Sequence, residues 1–245
     1  MPDSRVVAIH QPNFLPWLGW FDKLARADVF VLMDNTQFPR TSSGTWVNRV
    51  RMLVGGGPGW VTVPVARAGR GLRMIHEMEI DDSSRWRDKL LRTLQASYGR
   101  APHFGEVFPP LSEWIGNPTA SLAEFNTAAI HGVAGLLGLD TGKLVRGSTL
   151  QAEGAATELL IGMTRAAGGT AYLCGGGAEG YQEDEKFSAA GVELVYQGFV
   201  PAPYPQGRAP EFVPGLSVVD ALMWCGPAGT RALLGGQGRP AGGAG

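Results

Sequence analysis

A short apolar run, Val6-Val-Ala-Ile9, breaks into His10-Gln11-Pro12-Asn13, and apolar residues at helical spacing follow at once: Leu18, Phe21, Leu24 and Ala25. A second apolar run, Val29-Phe-Val-Leu-Met33, comes next. Strand, helix and strand within about thirty residues make a βαβ unit, whose two strands are parallel and whose crossover is right-handed. This unit constrains the chain more than any other feature. It predicts an α/β fold with a mostly parallel sheet flanked by helices. Pro16 is read as a first-turn proline of the helix, where its missing N–H has no partner to lose.

Both strands end in polar residues, the first in His10-Gln11-Pro12-Asn13 and the second in Asp34-Asn35-Thr36-Gln37. In open α/β sheets the carboxyl ends of the strands border a crevice that takes ligands. His10, Gln11, Asn13, Asp34 and Gln37 are therefore candidate site residues. His10 is the candidate general acid or base, because imidazole titrates near neutrality, and Asp34 is expected to orient it.

Downstream, Thr41-Ser-Ser-Gly44 is a turn. Trp46-Val-Asn-Arg-Val-Arg51 alternates with period two, Gly55-Gly-Gly-Pro-Gly59 breaks the chain, and Trp60 to Val65 reads as another strand. A hairpin beside the first two strand ends is expected, with a further short strand around Met74–Ile80. Period two places Arg49 and Arg51 on one face and Asn48 on the other. Paired guanidinium groups suit a phosphate or carboxylate, so Trp17, Trp46, Asn48, Arg49 and Arg51 join the candidate substrate-binding set.

Residues 82–168 read as mainly helical. Asp82-Ser-Ser84 is expected to cap a helix from Arg85 to Tyr98, Ser121 to cap one over Leu122–Leu137, and Ala155–Ala167 to form a third. Thr170–Cys174 is a strand that runs into Gly175-Gly176-Gly177. Glu183–Ala190 is a short helix and Val192–Gln197 a last strand. Glycines after a strand let successive N–H groups approach an anion, which adds Gly175, Gly176, Gly177 and Tyr181 as candidates. Cys174 is a candidate nucleophile; the alternative is an inert buried thiol.

With 245 residues and 44% hydrophobic content, one domain over 1–234 with a sizeable core is expected; residues 235–245 are a Gly/Ala-rich tail read as disordered. A formal net charge of −1 gives no support to bulk nucleic-acid binding. There is no apolar run of membrane length and no signal-peptide pattern. Two cysteines are too few for a disulfide framework or a structural zinc site, and His76, His103 and His131 lack ligand spacing. No metal is expected, no partner membrane or nucleic acid, and a cytoplasmic location.

The chain resembles the WbqC-like family. The resemblance is carried by His10 to Asp22, Ala27-Asp-Val-Phe-Val31, Asp34, Gln37-Phe38, Asn48-Arg49, Trp60 to Val65, Leu136-Leu-Gly138, Thr170 to Gly175, Tyr204-Pro-Gln206 and Phe212 to Asp220. It implies a transferase that moves a glycyl, aminoacyl or other acyl unit onto an amine in polysaccharide (O-antigen) or specialised-metabolite biosynthesis in bacteria. Its partners would be a small-molecule acceptor amine and an acyl- or aminoacyl-carrier protein, with no cofactor. Where the family pattern has Ser-Gly-Pro-Gly, this chain has Cys174-Gly-Gly-Gly177. The opening unit is also similar to the pantothenate-synthetase and nucleotidyltransferase superfold, although the second histidine of that signature is missing. Three functions thus remain open: amide-forming transferase, with Tyr204 among its binding residues; nucleotide-dependent nucleotidyltransferase or acyl-adenylate ligase, which would use a nucleotide; and non-catalytic sugar- or carrier-binding protein.

Overall fold

The computed structural model describes residues 4–39, 45–66, 72–175, 184–207 and 209–235. The opening unit forms as its pattern predicts: β1 (Val6–His10), α1 (Leu18–Arg26) and β2 (Val29–Leu32). β1 and β2 pair in parallel, with His10 opposite Leu32. Three further strands complete the sheet, β5 (Leu144–Arg146), β6 (Ala171–Cys174) and β7 (Glu193–Tyr196). The order is β5-β2-β1-β6-β7, and every pairing is parallel. The architecture is therefore α/β.

Chain direction across the sheet reverses between β1 and β6. From β1 the chain moves outward through β2 to β5, then returns to the other side of β1 and moves outward again through β6 to β7. The crevice at the carboxyl ends of β1 and β6 is the topological switch point, the usual ligand position in such sheets. His10 closes one of these strands and Cys174 the other.

Period-two alternation divides the core. Ala8, Phe30, Leu32 and Leu173 pack on one face with Phe21 and Leu24 of α1. That larger core continues into β3 (Arg49–Val54), β4 (Gly57–Thr62), α2 (Trp86–Tyr98), α3 (Phe104–Ile115), α4 (Leu122–Leu136) and α7 (Val218–Ala232). Val7, Ile9, Val31, Tyr172 and Cys174 point to the other face, against α5 (Ala156–Ala166) and α6 (Asp184–Ala189).

The expected hairpin is a separate two-stranded sheet. Strand β3 starts at Arg49, and Trp46 lies in the turn before it. Gly55 and Gly56 connect the strands with φ of 64° and 91°, the positive values that a two-residue hairpin loop of type I′ needs.

Several local expectations fail for identifiable reasons. Met74–Ile80 makes a 3-10 turn at Ile75–Glu77 and isolated bridges, with no strand. The helical middle also supplies β5, an edge strand too short to show a period. Pro16 precedes the helix and its carbonyl accepts a hydrogen bond from Val218 N. Asp82 does not cap α2; it accepts from Trp86 Nε1 at 2.7 Å and from Arg87. Ser121 does cap α4, accepting from Glu124 N at 3.3 Å. Helices α3 and α7 carried internal prolines that masked them in the sequence. In α7 the helix is kinked at Gly226, where φ is 69°. A Cβ there would lie 2.5 Å from the His103 ring.

The turn after β1 is strained and pinned. Leu15 is buried and has φ of 41°, a region that costs a non-glycine residue on the order of 1–3 kcal/mol. Its carbonyl accepts from Ser217 Oγ at 2.7 Å, and Ser217 Oγ in turn accepts from Val219 N at the start of α7. Asn126 of α4 donates to Pro12 O at 2.8 Å and Val47 O at 2.7 Å. Ser217→Ala removes a buried cap and the Leu15 anchor together. It should lower unfolding free energy by about 2 kcal/mol in a urea titration with unchanged slope.

Candidate functional site

The site is built on the carboxyl end of β1. The His10 ring is half-buried, edge-on to Trp17 at 5.4 Å and to Trp20 at 6.3 Å between centroids. Its Nδ1 lies 3.2 Å from Gln11 O. A carbonyl only accepts, so this contact requires the proton on Nδ1 and leaves a lone pair on Nε2. Burial lowers the His10 pKa to about 3, with the positive charge of Lys23 adding to the effect. At neutral pH the ring is an uncharged imidazole.

From His10 a strip of rings runs outward along the turn and onto the hairpin. Trp17 meets Trp46 at 5.0 Å, Trp46 meets Trp60 at 5.3 Å, and the Arg49 guanidinium stacks over Trp60 at 4.1 Å. The register explains the last contact. Arg51 faces Trp60 directly, and Arg49 is the diagonal neighbour on the same face. Trp60 is 46% exposed, a large apolar ring left in water. Among the described residues no carboxylate pairs with Arg49 or Arg51.

Other candidates take structural positions. Asp34 does not orient His10. Its carboxylate is buried and accepts from Arg146 Nε at 2.8 Å, Ser148 N at 2.7 Å and Ser148 Oγ at 2.9 Å, which ties the end of β2 to the end of β5. Asn48 donates from Nδ2 to Val63 O at 3.0 Å, fastening the base of the hairpin. Gln37 is exposed and forms an isolated bridge with Met74. Gln11 Nε2 donates to Thr36 Oγ1 at 3.4 Å. Asn13 is buried in the turn, and its Oδ1 accepts no hydrogen bond among the described residues.

Cys174 ends β6 on the opposite sheet face from His10, fully buried with Tyr172 and Phe187. Its Sγ donates to Val195 O at 3.4 Å. Gly175 follows beside Gln197. Gly176, Gly177 and Tyr181 lie outside the described residues.

Two groups that carry the local electrostatics were not picked out as site residues from the sequence. Lys23 of α1 is 3% exposed and donates from Nζ to Ile9 O at 3.1 Å. Burial lowers its pKa to about 8, opposed by the Cys174 sulfur. Asp220 of α7 is fully buried and accepts from Tyr98 Oη at 3.0 Å and Tyr204 Oη at 2.9 Å. Burial raises its pKa to about 6 against the lowering effect of those hydrogen bonds. The signal for both was a charge set among apolar neighbours on a helix, Trp20-Phe-Asp-Lys-Leu24 and Val218-Val-Asp-Ala-Leu222. Buried charges of this kind are uncommon without a partner or a role.

Tyr204 also lines a cavity of about 270 Å³ on whose wall Trp17 stands. The described residues contain no group of His, Cys, Asp and Glu arranged to hold a metal ion. No helix among them is long and apolar enough to cross a membrane.

A family model described as the WbqC-like protein family matches residues 11–232. Among curated proteins, the chain is similar to "Uncharacterized protein Rv1507c" of Mycobacterium tuberculosis (strain ATCC 25618 / H37Rv). The two are 29% identical over 223 residues, which is 89% of this chain and 93% of the relative. No solved structure matches the chain.

Proposed function

Because the chain belongs to the WbqC-like protein family, and because a neutral imidazole stands at the switch point of its sheet, we propose that it is an amide-forming transferase. The unit moved is a glycyl, other aminoacyl or plain acyl group, and the acceptor is a small-molecule amine. The acceptor nitrogen attacks the carbonyl carbon of the donor. A C–N bond forms, and the bond from carbon to the leaving group, a carrier thiol, breaks. The ring pKa is held at about 3 in the free protein, so His10 takes the proton lost by nitrogen only once negative charge develops on the carbonyl oxygen beside it and raises its basicity. Nε2 then passes that proton to the departing sulfur, and the products are the amide and a free thiol.

The observation that carries this reading is the 3.2 Å contact of His10 Nδ1 with Gln11 O. With Nδ1–H committed to Gln11 O, the Nε2 lone pair is free for the acceptor's N–H. Trp17, Trp46 and Trp60 offer a stacking strip for a ring-shaped acceptor. Arg49 and Arg51, on the shared hairpin face, suit a phosphate or carboxylate on the donor's carrier. Asp34 and Cys174 are assigned no chemical step, since both are held in structural contacts; Cys174→Ala retains full turnover on this reading.

The test is mass spectrometry of products from purified protein with a panel of acyl and aminoacyl carrier thioesters and amino-sugar or alkyl amine acceptors. A new amide mass that requires both substrates is expected. Folded protein that gives none across a broad panel overturns the proposal. A second reading, a nucleotide-dependent nucleotidyltransferase or acyl-adenylate ligase, draws on the strand order and on the α1 N-terminus that follows the His10 turn. An ATP or CTP thermal-shift series separates the two, since occupancy raises the midpoint in proportion to the logarithm of ligand concentration.

A further inference from the structure

Trp17 joins two spaces. It meets His10 and Trp46 at the strand ends, and it also walls the cavity of about 270 Å³. The other principal walls are Leu18, Phe199, Tyr204, Phe212 and Leu216. Among the described residues none that lines it carries a charge. The Tyr204 hydroxyl donates a hydrogen bond to Asp220 Oδ2 at 2.9 Å, and the other oxygen of Asp220 accepts from Tyr98. The carboxylate behind Tyr204 thus already accepts from two phenols.

The outer wall is a built feature. Phe212 packs edge-on to Tyr204 at 5.4 Å. Gln206 closes the loop beneath it, donating from Nε2 to Val213 O at 2.9 Å and accepting from Val213 N at 2.7 Å. This amide clamp uses only backbone atoms of Val213, so the side chain there is free to face the cavity it lines.

We infer that this cavity is the acyl pocket of the transferase and that it selects an apolar, uncharged acyl group. The inference rests on the amide-forming reading above. A donor carbonyl beside His10 has its substituent one ring away from the cavity, past Trp17. The described lining offers no carboxylate, so a glycyl or other aminoacyl unit would bury its ammonium group there without a charged partner. Size sets the upper limit. A cavity of roughly 150 Å³ holds benzene, so this one, of about 270 Å³, holds a phenyl-sized ring with a short stem or roughly eight carbons.

Direct binding tests the pocket without requiring turnover. The probes are N-acetylcysteamine thioesters of acetate, butyrate, hexanoate, octanoate, decanoate, phenylacetate and glycine, titrated into the full chain by calorimetry with no acceptor amine added. Affinity is expected to rise about four-fold per methylene, the increment for burying one CH₂, and to level off near eight carbons. The glycyl thioester should bind no better than the acetyl one. Val213→Trp, which fills the cavity, should flatten the series, and Val213→Ala should move the plateau to longer chains; each variant's thermal midpoint is checked first. A series that is flat in the wild type, or a rise that neither variant alters, overturns the inference. Amide formation with no preference among acyl groups removes the pocket and leaves the transferase. Chain-length-dependent binding with no amide from any acceptor removes the transferase and leaves the pocket.

Discussion

His10→Ala lowers amide formation by roughly 10²- to 10⁴-fold, the usual contribution of a positioned acid–base group, and His10→Gln does not restore it. Glutamine can hold a hydrogen bond where Nε2 lay, but it cannot take and return a proton. The half-buried ring lies beside the core, so the alanine protein should still fold, and circular dichroism with a thermal midpoint verifies this. The pH profile supplies an independent readout. Burial and Lys23 hold His10 at about 3, so protonation of this residue in the free enzyme should leave no acid limb near the ordinary value of 6.5 in kcat/KM. A limb at 6.5 that vanishes in His10→Gln would contradict the buried, neutral ring. Turnover unchanged in both variants would take His10 out of the chemistry.

The second large effect belongs to Asp220. Four elements meet at its carboxylate: Tyr98 of α2, Tyr204 of the loop before α7, α7 itself and, through Leu53 N donating to Tyr98 Oη at 3.2 Å, strand β3. Asp220→Ala leaves two buried hydroxyls without an acceptor, each at a cost of about 1–3 kcal/mol, so a loss of about 3–5 kcal/mol is expected. That is a large part of the stability of an ordinary domain. Asp220→Asn keeps one acceptor oxygen and removes the titration.

The pH dependence has a definite sign. Asp220 titrates at about 6 in the folded protein against an ordinary carboxyl value of 3.8. A carboxyl raised in this way favours the fold while protonated, so its contribution is full below about pH 4 and is lost as pH rises to about 6. At about 1.4 kcal/mol for each pH unit between the two values, wild type should lose on the order of 3 kcal/mol relative to Asp220→Asn across this window. His10 acts in the opposite direction. Its lowered pKa favours the fold while neutral, so that contribution is present above about 6.5 and is lost as pH falls toward 3. Urea titrations of wild type, His10→Gln and Asp220→Asn at a series of pH values resolve the two. A wild-type-minus-Asp220→Asn difference that is constant from pH 4 to 6 would show that the carboxyl is not raised.

Much of the framework was legible because it depends on local period. The run Val6–Ile9, the spacing of Leu18, Phe21 and Leu24, and the run Val29–Met33 determine a parallel strand pair whichever residues pack around it. With that pair comes the position of His10 at a strand end; that this end is a switch point follows only from the strand order, which places β6 on the other side of β1. Ser121 as a cap and Gly55-Gly56 as a hairpin loop were equally local. Less was legible where a strand of three residues, Leu144–Arg146, or a helix with internal proline gave no period to follow.

The sequence by itself thus determined an α/β sheet and the strand end that bears the imidazole. Only the tertiary structure decided which polar groups meet there. Asp34 finds Arg146, 112 residues away, instead of His10. Tyr98 finds Asp220 across 122 residues. Cys174 and His10 end neighbouring strands, yet alternation sends them to opposite faces. The reason is physical: a hydrophobic period reports which way a side chain points from its own element, whereas the pairing of buried charges is set by which elements pack together.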